Sequence, residues 1–142
     1  MNVFVLCTGR CGSVTFSRAC QHIDNYSAGH ESNWSVVKNR CAYADNHIEV
    51  DNRLVWFLGR IDSIYGDDAF YVHLKRNIDD TSQSLLRKSY PPRKKNGSIA
   101  LSKGQAIMWV YRNGLIWKGD DTKPIDVCRH YCETVNTNIE LF

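Results

Sequence analysis

No apolar run in the 142-residue chain approaches the roughly 18 residues of a transmembrane helix. The longest, residues 3–7 and 106–111, are short, so no membrane association is expected. No basic segment followed by an apolar one opens the chain, so a secretory signal is not expected either. Three prolines, nine glycines and the absence of repeats or low-complexity tracts exclude a collagen-like or disordered chain. None of the six cysteines, Cys7, Cys11, Cys20, Cys41, Cys128 and Cys132, forms a Cys-x-x-Cys pair. Cys128 and Cys132 lie one helical turn apart, but no second Cys/His pair completes a zinc site. The cysteines read as reduced thiols in a cytoplasmic protein, and no metal is expected.

What is present is ordinary for a globular domain with a core: 43% apolar and 23% charged residues. The length suits one domain over residues 1–142. Net charge is only +3, but it is unevenly spread. Between Lys75 and Lys103 stand eight basic residues against two acidic ones, Asp79 and Asp80. Such a segment favours a polyanion, or is simply a solvated surface, Arg93-Lys94-Lys95 in particular.

The pattern alternates strands and helices. Residues 2–7 read as a buried parallel strand, followed by a Gly-rich turn and a helix over 13–23 with Phe16, Ala19, Cys20 and Ile23 on one face. Residues 25–28 suggest a weak second strand. Residues 33–50 suggest loop. Leu54, Phe57, Leu58, Ile61, Ile64 and Tyr65 recur at helical spacing within 51–65. Residues 69–74 form the clearest strand, apolar on both faces. Asp79 or Asp80, with Gln83, then caps a helix through Lys88, and Pro91-Pro92 ends it. A helix is expected from Ser98 to about Trp117. Another opens at Thr122 and Pro124, with Cys128, Tyr131, Cys132, Val135, Ile139 and Phe142 on its face. The expected architecture is α/β: a three-layer domain with a short parallel sheet of about three strands flanked by helices. Three strands are few, so the chain is expected either to lack its C-terminal strands or to complete its core as a homodimer.

The turn after the first strand carries the chemistry. Backbone N–H groups at a turn that enters a helix form an anion cradle, assisted by the helix dipole. Gly9 and Gly12 let a ligand approach the backbone, Arg10 adds charge, and Ser13 and Thr15 offer hydroxyls. The pattern is not that of a Mg²⁺-dependent nucleoside triphosphatase. That site needs four residues between its glycines and then Lys-Ser/Thr, and no lysine follows Gly12. A second feature is Arg76 at a strand's carboxyl end, where open α/β sheets bind ligands, with Ser84 eight residues on.

Taken together, Arg10-Cys11-Gly12-Ser13 and the Arg76/Ser84 pair resemble the motifs of the sulfotransferase family. The resemblance covers about residues 1–88 and, weakly, 105–117. It implies a P-loop-like fold and the donor 3′-phosphoadenosine 5′-phosphosulfate. It also implies that Gly9, Arg10, Cys11, Gly12, Ser13, Val14 and Thr15 hold the 5′-phosphosulfate, and that Arg76 and Ser84 hold the 3′-phosphate. Val14 stands where the family commonly has a hydroxyl residue. No counterpart of the family's late Gly- and Lys/Arg-rich nucleotide segment is present.

Sulfonate transfer needs a base for the acceptor and positive charge at the leaving phosphate, a role that suits Arg10. Glu31, in residues 29–32 after the second strand, is the preferred base, and His30 is the alternative. Glu31 is otherwise a loop carboxylate paired with an Arg or Lys. A His used as base by small-molecule members is replaced here by Arg53. His22, His47, His73 and His130 have no such context, and Trp34, Trp56, Trp109 and Trp117 read as core. The acceptor, a small molecule or saccharide, is not legible, and nucleic acid is not expected as a partner. Two other functions fit less well: a P-loop nucleotide or nucleoside kinase, and a non-catalytic nucleotide- or polyanion-binding module using residues 90–95.

Overall fold

A computed structural model describes residues 1–33, 37–89, 110, 111, 115 and 123–142. They fall into two compact units, 1–76 with 135–142, and 77–134. The first unit holds a four-stranded, all-parallel sheet: β1 (Asn2–Cys7), β2 (Ser27–His30), β3 (His47–Val50) and β4 (Ala69–Leu74), in the order β2-β3-β1-β4. The α/β class is therefore as expected, with one strand more. Phe4, Val5, Leu6 and Cys7 are fully buried, as a strand covered on both faces requires. On one face Val5, Ile48, Val50 and Cys20 form a core cluster with Val3, Phe16, Val72 and Leu74 packed on it. On the other, the Phe4 ring meets Tyr43, Tyr65 and Tyr71 at centroid distances of 5.7, 5.1 and 5.9 Å.

Helix α1 (Ser13–Cys20) packs on β2 and β3. Its buried residues are Ser13, Ser17 and Cys20, whereas Ala19 and Ile23 are exposed. The expected apolar stripe is thus shifted toward small residues, which let a helix lie close to a sheet. The expected helix over 51–65 is really two pieces, a 3₁₀ turn at Leu54–Phe57 and α2 at Leu58–Tyr65. Asp51 explains the late start: its Oδ1 accepts the Arg53 N–H at 2.8 Å, a side-chain turn that competes with the helix. Strand β3 lies where a loop was expected, and β2 sits two residues later than expected. Strand β4 is one of the two outer strands, and its Phe70 is 55% exposed, so it is not apolar-covered on both faces. The last turns of the final helix, α4 (Pro124–Leu141), belong to this unit. There Asn136 meets His73 at 3.0 Å, and Phe142 packs edge-on against Tyr71.

The second unit contains α3 (Ile78–Ser89) and the first turns of α4. The α3 cap is Asn77 rather than Asp79 or Asp80: Asn77 Oδ1 accepts the Asp80 N–H at 3.1 Å. Val127, Cys128, Tyr131 and Cys132 are buried, together with Tyr111, whose hydroxyl meets His130 Nδ1 at 2.6 Å. The expected helix over 98–117 lies outside the described residues apart from 110, 111 and 115. The Arg93-Lys94-Lys95 run, Pro91-Pro92, Lys103, Trp34, Trp109, Trp117 and the Thr122 cap lie outside them entirely. All six cysteines are buried, and none is in a disulfide. Among the described residues no helix is long and apolar enough to cross a membrane.

Candidate functional site

Because all four strands run parallel, their carboxyl ends share one edge of the sheet. There β1 delivers residues 8–12, β2 delivers Glu31, β3 delivers Asp51, Asn52 and Arg53, and β4 delivers Lys75 and Arg76. This is the edge at which parallel α/β sheets bind ligands.

The turn after β1 winds through left-handed backbone. Gly9, Arg10 and Gly12 have φ of 73°, 57° and 98°. Such angles suit glycine but cost a non-glycine residue about 1–3 kcal/mol, a strain that concentrates at functional sites. A Cβ added at Gly9 would stand 2.8 Å from Asn52 Nδ2, so Gly9 permits that close packing, whereas one at Gly12 would meet nothing within 4 Å. Gly12 also occupies the cap position of α1, and no side chain caps the helix there. The first amides of α1 therefore have no side-chain acceptor from the cap position. Val14 and Thr15 are exposed and Ser13 is nearly buried. The Ser13 hydroxyl lies 3.1 Å from His30 Nε2.

The thiols shape this turn. Cys7, at the end of β1, donates its S–H to Cys11, and backbone N–H groups of Ser13, Cys11 and Gly9 also point at the Cys11 sulfur. Together these bring the Cys11 thiol down to about 7 against the opposing effect of burial. The donor, Cys7, is held well above the ordinary thiol range by that same hydrogen bond and by burial. Cys11 thus adds a side chain to a turn that the sequence marks chiefly for its backbone. Near neutrality its thiolate satisfies the amides a phosphate would use.

Arg76 donates from Nη1 to the Arg10 carbonyl at 3.1 Å and so braces the turn from β4. Ser84 belongs to the second unit, on α3, and is only 7% exposed. Glu31 has φ 54°, and its N–H donates to the Val50 carbonyl at 3.2 Å. Its Oε2 lies 3.1 Å from Arg53 Nη2. The carboxylate is thus paired with an arginine, the plainer of its two expected roles. His30, in contrast, touches the turn itself.

Sequence reasoning missed Asp51, Arg40 and Asn52. Asp51 is fully buried and shared between Arg40 Nη2 at 2.5 Å and Arg53 Nε at 3.0 Å. The Asn52 Oδ1 is buried and has no hydrogen-bond partner. The signal that could have found them is Asp-Asn-Arg at the end of a strand, but that required seeing β3. Among the described residues no cluster of His, Cys, Asp or Glu is arranged to hold a metal ion.

Comparisons with protein-family models, curated proteins and solved structures find no match. The functional reading therefore rests on the geometry.

Proposed function

We propose that the carboxyl edge of the sheet binds a 3′-phosphorylated adenosine nucleotide and that the chain transfers a sulfonate group from 3′-phosphoadenosine 5′-phosphosulfate to a hydroxyl or amine. One observation carries the reading: a left-handed Gly-Arg-Cys-Gly turn leads into a helix without a side-chain cap, with Arg10 on it and Arg76 bracing it. Backbone amides at a helix start and a flanking guanidinium suit an oxyanion that is already tetrahedral, such as phosphate or sulfonate, which would compete with the Cys11 sulfur for those amides. The open space at Gly12 is compatible with close approach of such a group.

Within this reading the donor supplies an activated sulfonate. The turn amides and Arg10 neutralise the leaving 5′-phosphate as charge accumulates on it. The acceptor hydroxyl loses its proton to His30, the candidate base in contact with Ser13 at the start of α1, while Glu31 pairs with Arg53. Arg76 contributes charge toward the 3′-phosphate in addition to bracing Arg10.

The test is calorimetry with adenosine 3′,5′-bisphosphate, run without metal and against ATP-Mg²⁺. Metal-independent binding of the bisphosphate, tighter than ATP, is the expected outcome. Equal or tighter ATP binding that a chelator abolishes would defeat the reading in favour of a kinase. In the same assay Arg76→Ala should cost the bisphosphate about tenfold or more, because charge-assisted contacts are worth roughly 1.5–3 kcal/mol. Adenosine 5′-phosphate should lose less; equal losses would mean that Arg76 only braces the turn.

A further inference from the structure

The opposite, amino edge of the same sheet holds a separate constellation. Ser27 opens β2 and His47 opens β3, and the two are direct cross-strand partners. Ser27 Oγ lies 2.8 Å from His47 Nδ1. His47 Nε2 lies 2.9 Å from Glu49 Oε2. Glu49 is fully buried, and its other oxygen accepts the Ser32 N–H at 2.8 Å, so the carboxylate is fixed at both oxygens. The imidazole is fixed as well: Tyr43 stacks on it at 5.4 Å with 9° between the planes. The backbone N–H of His47 donates to Asn2 Oδ1 at 3.0 Å and anchors the start of β3.

Gly29 is the cross-strand partner of Glu49. A Cβ added there would fall 2.8 Å from Glu49 Oε2 and 2.1 Å from Ser32 Oγ. The missing side chain is what lets Glu49 reach under His47. Ser27 is exposed on an outer strand of the sheet, while the carboxylate behind it is dry. A hydroxyl, an imidazole and a buried carboxylate in hydrogen-bonded series are the arrangement by which a serine is activated.

We propose that Ser27, His47 and Glu49 form a second site, at which Ser27 is an activated nucleophile toward carboxylic esters. With the imidazole proton on Nε2 and directed at Glu49, Nδ1 is the acceptor facing the Ser27 hydroxyl. Ser27 Oγ attacks the acyl carbon and its proton passes to Nδ1. The bond to the alcohol oxygen breaks, and that oxygen leaves with the proton. Water then repeats the sequence on the acyl-serine, releasing the carboxylic acid and restoring Ser27. Glu49 touches no substrate; it is a positioning residue that holds the ring and offsets the imidazolium.

The full chain is treated with a fluorophosphonate probe, which forms an Oγ–P bond as fluoride leaves, and with p-nitrophenyl acetate. The expected result is labelling at Ser27 in preference to Ser63, an exposed serine whose hydroxyl donates to the Arg60 carbonyl at 2.9 Å. Ser27→Ala should abolish both labelling and ester hydrolysis while leaving the bisphosphate affinity unchanged, which separates this site from the carboxyl edge. His47→Gln should slow labelling by roughly 10²–10⁴-fold. In the unaltered chain the labelling rate should rise with pH along a single ionisation, and Glu49→Gln should move that profile. Labelling of Ser27 no faster than Ser63, or a rate that follows hydroxide alone, would overturn the proposal. Either result would leave His47 as a hydrogen-bond partner for Glu49 and nothing more.

Discussion

The two edges of one small sheet are built by different means. At the carboxyl edge the polar groups stand just beyond the strand ends, on backbone that turns left-handed at Gly9, Arg10, Gly12 and Glu31. At the amino edge Ser27, His47 and Glu49 belong to the strands themselves and meet through pairing register. The first edge offers backbone amides and guanidinium groups that suit an anion. The second offers a closed relay of side chains leading inward to a buried carboxylate. Loop-borne groups can be reshaped with little effect on the sheet, whereas register-borne groups shift only if the sheet does.

Three measurements would sharpen or break this contrast. The largest effect is expected in turnover. His30→Ala should lower sulfonate transfer by roughly 10²–10⁴ while largely keeping bisphosphate affinity, since a base touches the acceptor rather than the nucleotide. Glu31→Gln should be milder, acting through Arg53. The reverse ranking, read by steady-state kinetics alongside calorimetry, would make Glu31 the base.

Asp51→Ala comes next. It strands the 7%-exposed Arg40 without its buried partner, and such removals cost about 3–5 kcal/mol. Denaturant unfolding should show a loss of this size. A loss below about 1 kcal/mol would mean that Arg40 finds water instead.

The smallest effect concerns pH. A folded-state thiol brought from 9.0 down to about 7 contributes stability that is present above pH 9 and lost as pH falls through 7. The same thiolate competes with phosphate for the turn amides. Bisphosphate affinity should therefore fall several-fold as pH rises through about 7, and the slope should flatten in Cys11→Ser. An unchanged slope in that variant would remove the thiolate from the anion site. Cys11→Ser should leave the pH profile of Ser27 labelling unchanged, since that relay holds no thiol.

The turn after β1 was legible because Gly9 and Gly12 directly follow an apolar run and directly precede a helical pattern, which marks a strand-turn-helix junction. Strand β3 was not. His47–Val50 is four residues long and places a histidine and a glutamate where an apolar residue is expected, and Glu49 reads as surface until its Ser32 and His47 partners are known. With β3 unseen, Asp51, Asn52 and Arg53 looked like the start of a helix, and the 3.6-residue spacing from Leu54 onward reinforced that reading. His47 looked isolated for the same reason, since its meaning lies in its register with Ser27, twenty positions away. The shift of the α3 cap to Asn77 is a smaller case: adjacent Asp, Asn and Thr residues compete for one helix start, and only geometry chooses among them.

The brace between Arg76 and the Arg10 carbonyl spans 66 positions of sequence. A growing chain emerges from the ribosome with the turn of residues 9–12 early and its brace much later. Until β4 has been made, β1 lacks the neighbour with which it pairs from Asn2–Ala69 to Cys7–Leu74. Closing so long a segment costs entropy that local contacts cannot offset. The turn therefore acquires its bracing only after synthesis has passed residue 76. A nucleotide that favours the braced turn would act on the nascent chain as a folding ligand, drawing β4 into the sheet.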